Sequence, residues 1–153
     1  MAWEIERKFT VINDDYKKDV KGILYKQGYL GRLPGCTVRV RTADDKAFLT
    51  IKGPTVGASR PEFEYSIPYE DALSLFTLCQ GGFIEKLRYK VPYNGMVWEV
   101  DEFLGANEGL VIAEIELESE NQSFDLPSWV GDDVTGNPKY YNSNLLRKPF
   151  KEK

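Results

Sequence analysis

The first strand-like segment of the sequence places charged side chains at every second position. In residues 3–9, WEIERKF, Glu4, Glu6 and Lys8 share one face of an extended chain, and Arg7 is the one charged residue on the other face. Carboxylates are hard oxygen ligands for Mg²⁺ and Mn²⁺, and an ammonium group can neutralise phosphate oxygens. The segment therefore indicates either a face in solvent or a site for metal and phosphate.

Six later segments repeat this alternation, with charged residues on one face and apolar residues on the other. Several of these segments are wholly basic on the charged face, and others are wholly acidic. The basic side chains of the seven segments are Lys8, Arg39, Arg41, Lys52, Lys86, Arg88 and Lys90. The acidic side chains are Glu4, Glu6, Glu62, Glu64, Glu99, Asp101, Glu114, Glu116 and Glu118.

This grouping of charge favours a ligand site over an ordinary solvated face. A half-buried antiparallel strand commonly has one polar face in water, but such a face usually mixes signs to avoid repulsion between like charges. Grouped cations and grouped carboxylates suit a ligand that carries both signs, such as a polyphosphate with a divalent metal. The sequence has no phosphate-binding loop of the G-x-x-x-x-G-K-[ST] type, so the phosphate site would be of another kind.

The composition removes several classes of function. The chain of 153 residues contains no histidine, which excludes His-based triads, His-ligated zinc and imidazole acid/base catalysis. Its net charge of −4 argues against general nucleic-acid binding. Cys36 and Cys79 have no metal-ligand spacing. No signal peptide and no apolar run of ~20 residues is recognisable, so we expect a single cytoplasmic domain over residues 1–153 that is not membrane-bound.

The elements that must position these residues are mainly strands. Alternation and turn residues predict roughly eight strands, linked mostly by short turns, at 2–12, 28–33, 37–43, 46–53, 61–68, 82–93, 96–103 and 110–119. Asn94-Gly95 is the strongest hairpin signal in the chain. Helical patterns are predicted at 14–27, with Asn13 or Asp14 as N-cap, and at 69–79 and 139–147. These elements predict an α+β, mainly β fold: an antiparallel barrel or curved sheet.

For the charged faces to meet, they must line the inside of the barrel, and the apolar faces must pack outward beneath a few outer helices. Small barrels more often fill their interior with apolar side chains, so a charged lumen must hold water when no ligand is bound. Trp3, Phe48, Trp98 and Trp129 are predicted to pack in the apolar layers. Tyr140 and Tyr141 are predicted to anchor the last helix, which could also close one end.

In these motifs the sequence resembles the CYTH superfamily, the triphosphate tunnel metalloenzymes. The E-x-E-x-K signature matches Glu4, Glu6 and Lys8, and further matches follow in family order over nearly the whole chain. They are TVRVR, TIKGP, RPEFEY, KLRYKV, WEVDEF, AEIELE and the tail DVTGNPKYYNSNLL. The resemblance implies an eight-stranded antiparallel tunnel with a charged lumen, which binds a linear triphosphate lengthwise.

The resemblance also implies roles for individual residues. The implied metal ligands, for one or two Mg²⁺ or Mn²⁺ ions, are Glu4, Glu6, Glu62, Glu64, Glu114 and Glu116. The implied phosphate contacts are Lys8, Arg39, Arg41, Lys52, Lys86 and Arg88. Lys8, Glu62 and Glu64 are the implied catalytic residues, the two glutamates as ligands of a second metal or as water-positioning groups. The residues whose roles stay open between function and wall support are Arg60, Lys90, Glu99, Asp101 and Glu118.

Family members hydrolyse inorganic triphosphate, thiamine triphosphate or nucleotides, or convert ATP to cyclic AMP. The compact chain has no recognisable base-binding insertion, which favours metal-dependent hydrolysis of inorganic tripolyphosphate to pyrophosphate and phosphate. The alternatives, in order, are hydrolysis of an organic triphosphate and a class IV-type adenylyl cyclase. A non-catalytic polyphosphate- or nucleotide-binding module is the alternative from another class. The expected partner is a small-molecule triphosphate, and the expected assembly is a monomer or homodimer.

Overall fold

The computed structural model describes residues 3–33 and 35–150; residues 1, 2, 34 and 151–153 of the predicted domain lie outside the described range. Within that range the chain forms nine strands and two α-helices. The strands are β1 (Trp3–Val11), β2 (Ile23–Leu33), β3 (Cys36–Ala43), β4 (Lys46–Lys52), β5 (Ser59–Ile67), β6 (Gln80–Tyr93), β7 (Met96–Phe103), β8 (Val111–Glu116) and β9 (Val130–Asp133). The helices are α1 (Tyr69–Phe76) and α2 (Asn142–Arg147).

Eight of the strands close into an antiparallel barrel, as predicted. The order around the barrel is β5-β4-β3-β2-β6-β7-β8-β1, and β1 returns to pair with β5. The first half of β1 pairs with β5, and its second half pairs on the same edge with β9, which is the extra strand. Because each strand of the barrel has a partner on both sides, the backbone groups of the wall are hydrogen-bonded and its edges are removed.

The turns between consecutive strands follow the sequence signals. Asn94 and Gly95 both have positive φ, 47° and 81°, which is the backbone of the tight turn predicted between β6 and β7. Asp44, in the turn between β3 and β4, has φ 57°, a conformation that short polar residues tolerate. These turns set the register in which Arg88 faces Asp101 and Arg39 faces Thr50 across neighbouring strands.

The helix predicted over residues 14–27 is wrong. Only Asp15–Lys17 make a single 3₁₀ turn, where the Asn13 side chain accepts a hydrogen bond from the Asp15 N–H. The chain then becomes extended, and β2 pairs with β3 on one side and β6 on the other. These two ladders satisfy the backbone of β2, and tertiary pairing overrides the weak local helical pattern.

Most of the apolar core lies outside the barrel wall, as the alternation predicts. The largest cluster packs the outer faces of β1, β6, β7 and β8 under the 3₁₀ turn and the 117–130 segment, and includes Phe9, Tyr16, Trp98 and Trp129. A second cluster packs α1 on the outside of β3 and β4 through Val40, Ala47, Ala72 and Phe76. Trp98 and Trp129 are therefore packing residues, but Trp3 is half exposed and does not join these clusters.

The helix α2 does not lie on the outer wall. Its fully buried Leu145 packs with Ile84, Phe103, Leu110 and Ile112. Ile84, Phe103 and Ile112 have the same strand parity as Lys86, Asp101 and Glu114, so they face the inside of the barrel. The helix therefore closes one end of the barrel with an apolar plug, and α1 alone of the two helices is an outer helix. Among the described residues, no helix has the length and apolar character needed to cross a bilayer.

Candidate active site: a charged cavity inside the barrel

The charged faces of the strands surround a cavity of about 290 Å³ inside the barrel. All twelve residues that the sequence predicted for the site line it, namely Glu4, Glu6, Lys8, Arg39, Arg41, Lys52, Glu62, Glu64, Lys86, Arg88, Glu114 and Glu116. These residues come from six different strands, β1, β3, β4, β5, β6 and β8. Closing the barrel thus brings together side chains that are as much as 112 positions apart between Glu4 and Glu116.

One part of the cavity wall carries an acidic cluster, Glu4, Glu6, Glu62 and Glu116. Glu6 faces Glu116 across the β1–β8 ladder. Burial, together with the nearby carboxylates of Glu114 and Glu4, raises the pKa of Glu6 well above its usual value. Burial and the carboxylates of Glu4 and Glu62 likewise raise the pKa of Glu116. These shifts show that negative charge in this cluster is under-compensated.

Lys52 is the cation that offsets part of the acidic cluster. Its Nζ lies 3.0 Å from Glu4 Oε1 and 3.2 Å from Glu62 Oε2. Burial opposes ionisation of Glu4, but the Lys52 ammonium outweighs it and holds the pKa of that carboxyl below its usual value. The pKa of Glu62 is raised, because burial and the Glu4 charge outweigh Lys52. Lys52 therefore stabilises the charged form of Glu4, whereas Glu62 keeps a raised pKa and is the more basic carboxylate.

A basic cluster, Arg39, Arg41, Lys86 and Arg88, occupies the part of the wall next to the plug. Beneath it lies Asp101, 1% exposed, whose Oδ1 accepts from Arg88 Nε at 2.7 Å and whose Oδ2 accepts from Lys86 Nζ at 2.7 Å. Burial alone would raise the pKa of Asp101, but Arg88 and Lys86 hold it far below its usual range. Burial, with Arg88 and Arg41 nearby, lowers the pKa of Lys86 despite Asp101.

Glu114 connects the two clusters. Its Oε2 lies 3.1 Å from Lys8 Nζ, and its Oε1 lies 3.4 Å from Arg88 Nη2. Burial opposes its ionisation, but Lys8 and Arg88 lower the pKa of Glu114 to about 2. The two cations thus keep this carboxylate charged although it is only 7% exposed.

Two guanidinium groups of the basic cluster retain unused capacity to bind an anion. Arg39 contacts Thr50 at 3.3 Å and Glu64 at 3.5 Å, but its buried Nε has no hydrogen-bond partner among the described residues. Arg41 is held by Gln27 and makes no ion pair within the described part of the chain. Burial and the neighbouring charges of Arg39 and Arg88 lower the pKa of Arg41 to about 10. An oxyanion in the cavity would supply the missing acceptor and the missing negative charge.

The donor chemistry of the acidic cluster suits a hard divalent cation. The carboxylates of Glu6 and Glu116 have no ion-pair partner in the described ranges, so they could bind a cation without losing one. Within residues 3–33 and 35–150, no three acidic or cysteine side chains stand close enough together to hold a metal ion. Glu4 and Glu114 point instead to the ammonium groups of Lys52 and Lys8.

Five further charged residues were left open by the sequence. Arg60, Lys90 and Glu99 also line the cavity, and the Arg60 Nε donates to the carbonyl of Gly53 at 3.1 Å. Asp101 lies behind the lining and supports Lys86 and Arg88. Glu118 is exposed beyond the end of β8 and is not among the residues of the cavity wall.

The structure adds residues to the cavity that the sequence did not indicate. Tyr25 and Tyr29 of β2 line the cavity, and Gln27 lies fully buried on the same face of the strand. Tyr25 and Gln27 each contact Arg41 of the basic cluster. The mistaken helix over 14–27 concealed Tyr25 and Gln27, because a strand assignment would have put them on one face with Tyr29, which lies in the predicted strand 28–33. Phe48, predicted as a packing residue, lines the cavity opposite Arg41.

The C-terminal segment supplies further unpredicted lining, including Tyr141, Asn142 and Ser143. Tyr140 packs against the plug, as expected for an anchor, whereas Tyr141 lies with its ring 5.7 Å from Lys8 Nζ. No local pattern in the sequence could reveal this arrangement, because it depends on how α2 docks against the barrel.

The antiparallel barrel encloses a charged cavity that is closed at one end. Comparison with known proteins identifies the family of proteins to which a chain with this architecture belongs. The family model for the CYTH domain matches residues 2–147. The chain is 54% identical to an inorganic triphosphatase of Acetivibrio thermocellus over 152 residues, covering 99% of this chain and 97% of that protein. It is 34% identical to an inorganic triphosphatase of Nitrosomonas europaea, over 93% of this chain and 95% of that protein. This chain belongs to the CYTH family.

Solved structures agree with this assignment. The crystal structure of the inorganic triphosphatase NE1496 aligns with a TM-score of 0.69 and 31% identity, covering 95% of each chain. A putative adenylyl cyclase from Hippeastrum, described as having a dominant triphosphatase activity, aligns with a TM-score of 0.60 at 15% identity, over 76% of this chain and 80% of that one. At that identity the second likeness shows the shared fold alone.

Proposed function

We propose that this protein hydrolyses a linear inorganic triphosphate, with Mg²⁺ or Mn²⁺, to pyrophosphate and phosphate. The observation that carries the proposal is the division of one cavity into an acidic cluster and a basic cluster that contains an unpartnered buried guanidinium nitrogen of Arg39. The names of the two inorganic triphosphatase relatives, which match over nearly the full chain, support the same substrate class.

In this proposal the cations of the cavity bind the phosphate oxygens. Arg39 and Arg41 have unused binding capacity, and Lys86 and Arg88 are fixed beside them by Asp101. Lys8 and Lys52 now neutralise Glu114 and Glu4, and they would exchange part of that contact for phosphate. Charge-assisted contacts of this kind orient the phosphate chain and stabilise the charge that develops during phosphoryl transfer.

The same exchange would prepare the carboxylates for a divalent cation. When Lys8 and Lys52 turn to phosphate, Glu114 and Glu4 lose their ammonium partners, and with Glu6 and Glu116 they form a set of oxygen donors. A bound divalent ion would supply a Lewis acid that neutralises phosphate oxygens. We therefore propose Glu4, Glu6, Glu114 and Glu116 as its main ligands, and we expect metal and substrate to bind cooperatively.

Glu62 and Glu64 are proposed to hold the attacking water. The raised pKa of Glu62, caused by burial and by the Glu4 charge, makes its carboxylate a better proton acceptor than an exposed glutamate. Glu64 accepts from the Thr50 hydroxyl at 2.9 Å and lies 3.5 Å from Arg39, which fixes its direction. A second metal ion at these residues remains the alternative way to position the water.

The test is phosphate release from tripolyphosphate, pyrophosphate, ATP and thiamine triphosphate, each with Mg²⁺, with Mn²⁺ and with EDTA. We expect metal-dependent release that is fastest from tripolyphosphate and stops at pyrophosphate. Faster turnover of ATP or thiamine triphosphate would indicate that an organic triphosphate is the substrate. Formation of cyclic AMP from ATP would indicate a cyclase. Absence of turnover with every substrate and metal would leave only a binding function.

A further inference from the structure

Two neutral amides connect the barrel wall to α2 at the plugged end of the cavity. Gln27 on β2 is fully buried, and its Oε1 accepts from Arg41 Nε at 3.0 Å and from Arg41 Nη2 at 2.9 Å. Its Nε2 donates to Asn142 Oδ1 at 3.3 Å and to the Tyr29 hydroxyl at 3.3 Å. Asn142 Oδ1 also accepts from Lys86 Nζ at 3.1 Å.

The hydrogen-bonding chemistry fixes the direction of both amides. Arginine and lysine side chains can only donate, so each must face an amide oxygen and not an amide nitrogen. The oxygen of Gln27 is therefore committed to Arg41, and the oxygen of Asn142 is committed to Lys86. The amide nitrogen of Gln27 then donates to the oxygen of Asn142. Arg41, Gln27, Asn142 and Lys86 thus form one continuous hydrogen-bond network, in which each amide has one possible orientation.

Four other cations of the cavity are held differently from Arg41. Lys8, Arg39, Lys52 and Arg88 each lie within 4.0 Å of a carboxylate, which neutralises them in the absence of ligand. Arg41 has no such partner in the described ranges and is held by an amide instead. An amide oxygen fixes the direction of a guanidinium without cancelling its charge, so the charge stays available to a bound anion.

The aromatic ring of Tyr25 also restrains Arg41 without neutralising its charge. The Tyr25 ring lies 5.1 Å from the Arg41 guanidinium carbon and 4.9 Å from that of Arg88, so one ring contacts two arginines. Such cation–π contacts restrict motion and again add no negative charge. Uncharged groups thus restrain Arg41 on two sides.

We propose that Gln27, supported by Asn142, is a positioning residue that presents Arg41 and Lys86 to a phosphate group while leaving the charge of Arg41 uncompensated. The inference rests on the proposed function, since it concerns how that substrate is held. It also gives α2 a second role, because the helix that plugs the barrel supplies the Asn142 side chain that orients the network.

The Gln27→Glu variant separates positioning for binding from structural support. Glutamate has the same shape and keeps an oxygen facing Arg41, but it adds a negative charge about 3 Å from the guanidinium. The carboxylate loses the Nε2–H donor to Asn142 and Tyr29 but gains an ion pair with Arg41, so the thermal midpoint should change little. Anion binding should weaken, because the new carboxylate competes with phosphate for Arg41, by about tenfold to a hundredfold.

The experiment is isothermal titration of tripolyphosphate into the protein in EDTA at low ionic strength, with the thermal midpoint measured on the same samples. KM and kcat for tripolyphosphate with Mg²⁺ provide a second reading, in which we expect the larger change in KM. Gln122→Glu is the matched control, since it makes the same change of charge at a glutamine that contacts the Glu118 backbone and lies outside the cavity wall. Asn142→Asp repeats the test beside Lys86 if Gln27→Glu does not fold.

Weaker binding by Gln27→Glu with an unchanged or raised thermal midpoint, and normal binding by Gln122→Glu, would support the inference. Binding within twofold of wild type would overturn it, and so would a parallel loss of binding and thermal stability. If wild-type protein neither binds nor hydrolyses tripolyphosphate, the proposed function itself fails. If wild type does both and Gln27→Glu binds equally well, only the role of Gln27 is refuted.

Discussion

Asp101 is the residue whose removal should damage the barrel most clearly through electrostatics. Its carboxylate is 1% exposed and accepts three hydrogen bonds, one from Lys86 at 2.7 Å and two from Arg88 at 2.7 and 2.8 Å. Asp101→Asn keeps the shape but removes the charge, and it turns an amide nitrogen toward one of the two cations. Both cations are also buried, Lys86 at 1% and Arg88 at 7% exposure, so water cannot replace the lost carboxylate.

Removing one partner of a buried ion pair typically costs about 3–5 kcal/mol, because the other charge stays buried and uncompensated. For a domain of this size, each kcal/mol lowers the thermal midpoint by about 2–4 °C. We therefore expect Asp101→Asn to melt about 6–20 °C below wild type. The folded-state pKa of Asp101 is far below its unfolded value, so its contribution is present above about pH 4 and lost only in stronger acid. Asp101 thus stays ionised in the folded wild-type protein throughout pH 5 to 8.

Thermal and urea unfolding followed by circular dichroism would measure this difference. The control is Glu99→Gln on the same strand: Glu99 also contacts Arg88, but at 3.4 Å and with a side chain 32% exposed, so its loss should cost about 0–1 kcal/mol. Added tripolyphosphate should recover part of the stability of Asp101→Asn, because the anion offers new negative charge to Lys86 and Arg88. A loss below about 1 kcal/mol, or one equal to that of Glu99→Gln, would refute Asp101 as the electrostatic support of the basic cluster.

Three further predictions concern the site and the outer core. Glu116→Gln should reduce metal-dependent phosphate release by at least about 100-fold with little change in thermal midpoint, whereas Glu118→Gln, outside the cavity wall, should retain near-normal rates; near-normal turnover by the first variant would contradict the metal assignment. Arg39→Ala should lower kcat/KM for tripolyphosphate by about 10- to 150-fold, corresponding to about 1.5–3 kcal/mol, and a change of a few tenths of a kcal/mol would place Arg39 outside the site. Burial and a hydrogen bond to Glu102 raise the pKa of Tyr16, so the stability that this hydroxyl provides is present below about pH 10 and lost as the pH rises further. Urea unfolding from pH 8 to 11 should therefore show a gap between wild type and Tyr16→Phe that narrows above pH 10; a gap independent of pH would disprove this.

The inward face of the barrel was readable from the sequence because a strand has a period of two residues. Glu4, Glu6 and Lys8 had to share a face once residues 3–9 were extended, and the Asn94-Gly95 turn fixed how the next charged faces meet. The alternation of charged and apolar side chains is therefore a local property of each strand. The twelve residues predicted from it do line one cavity.

The errors arose where distant contacts decide the structure. Residues 23–27 have no strong local preference, and they become a strand only because β3 and β6 offer hydrogen bonds on both sides. The short β9 likewise depends on the free edge of β1 beyond its pairing with β5. Asp101 and Glu118 differ in depth, which the sequence does not show. Both share the strand parity of charged neighbours, but Asp101 lies buried under two cations and Glu118 extends past the end of β8.

The sequence by itself determined which charged side chains of the predicted strands face inward, since alternation, charge grouping and turn residues are all local. Only the tertiary structure decided which cation meets which carboxylate, because those pairs join residues on different strands, such as Lys52 with Glu4. It also decided that α2 plugs one end, and that Gln27 and Asn142, 115 positions apart, hold Arg41 and Lys86 without neutralising Arg41. Pairing, depth and end closure depend on how the barrel closes in space, and no short stretch of sequence contains that information.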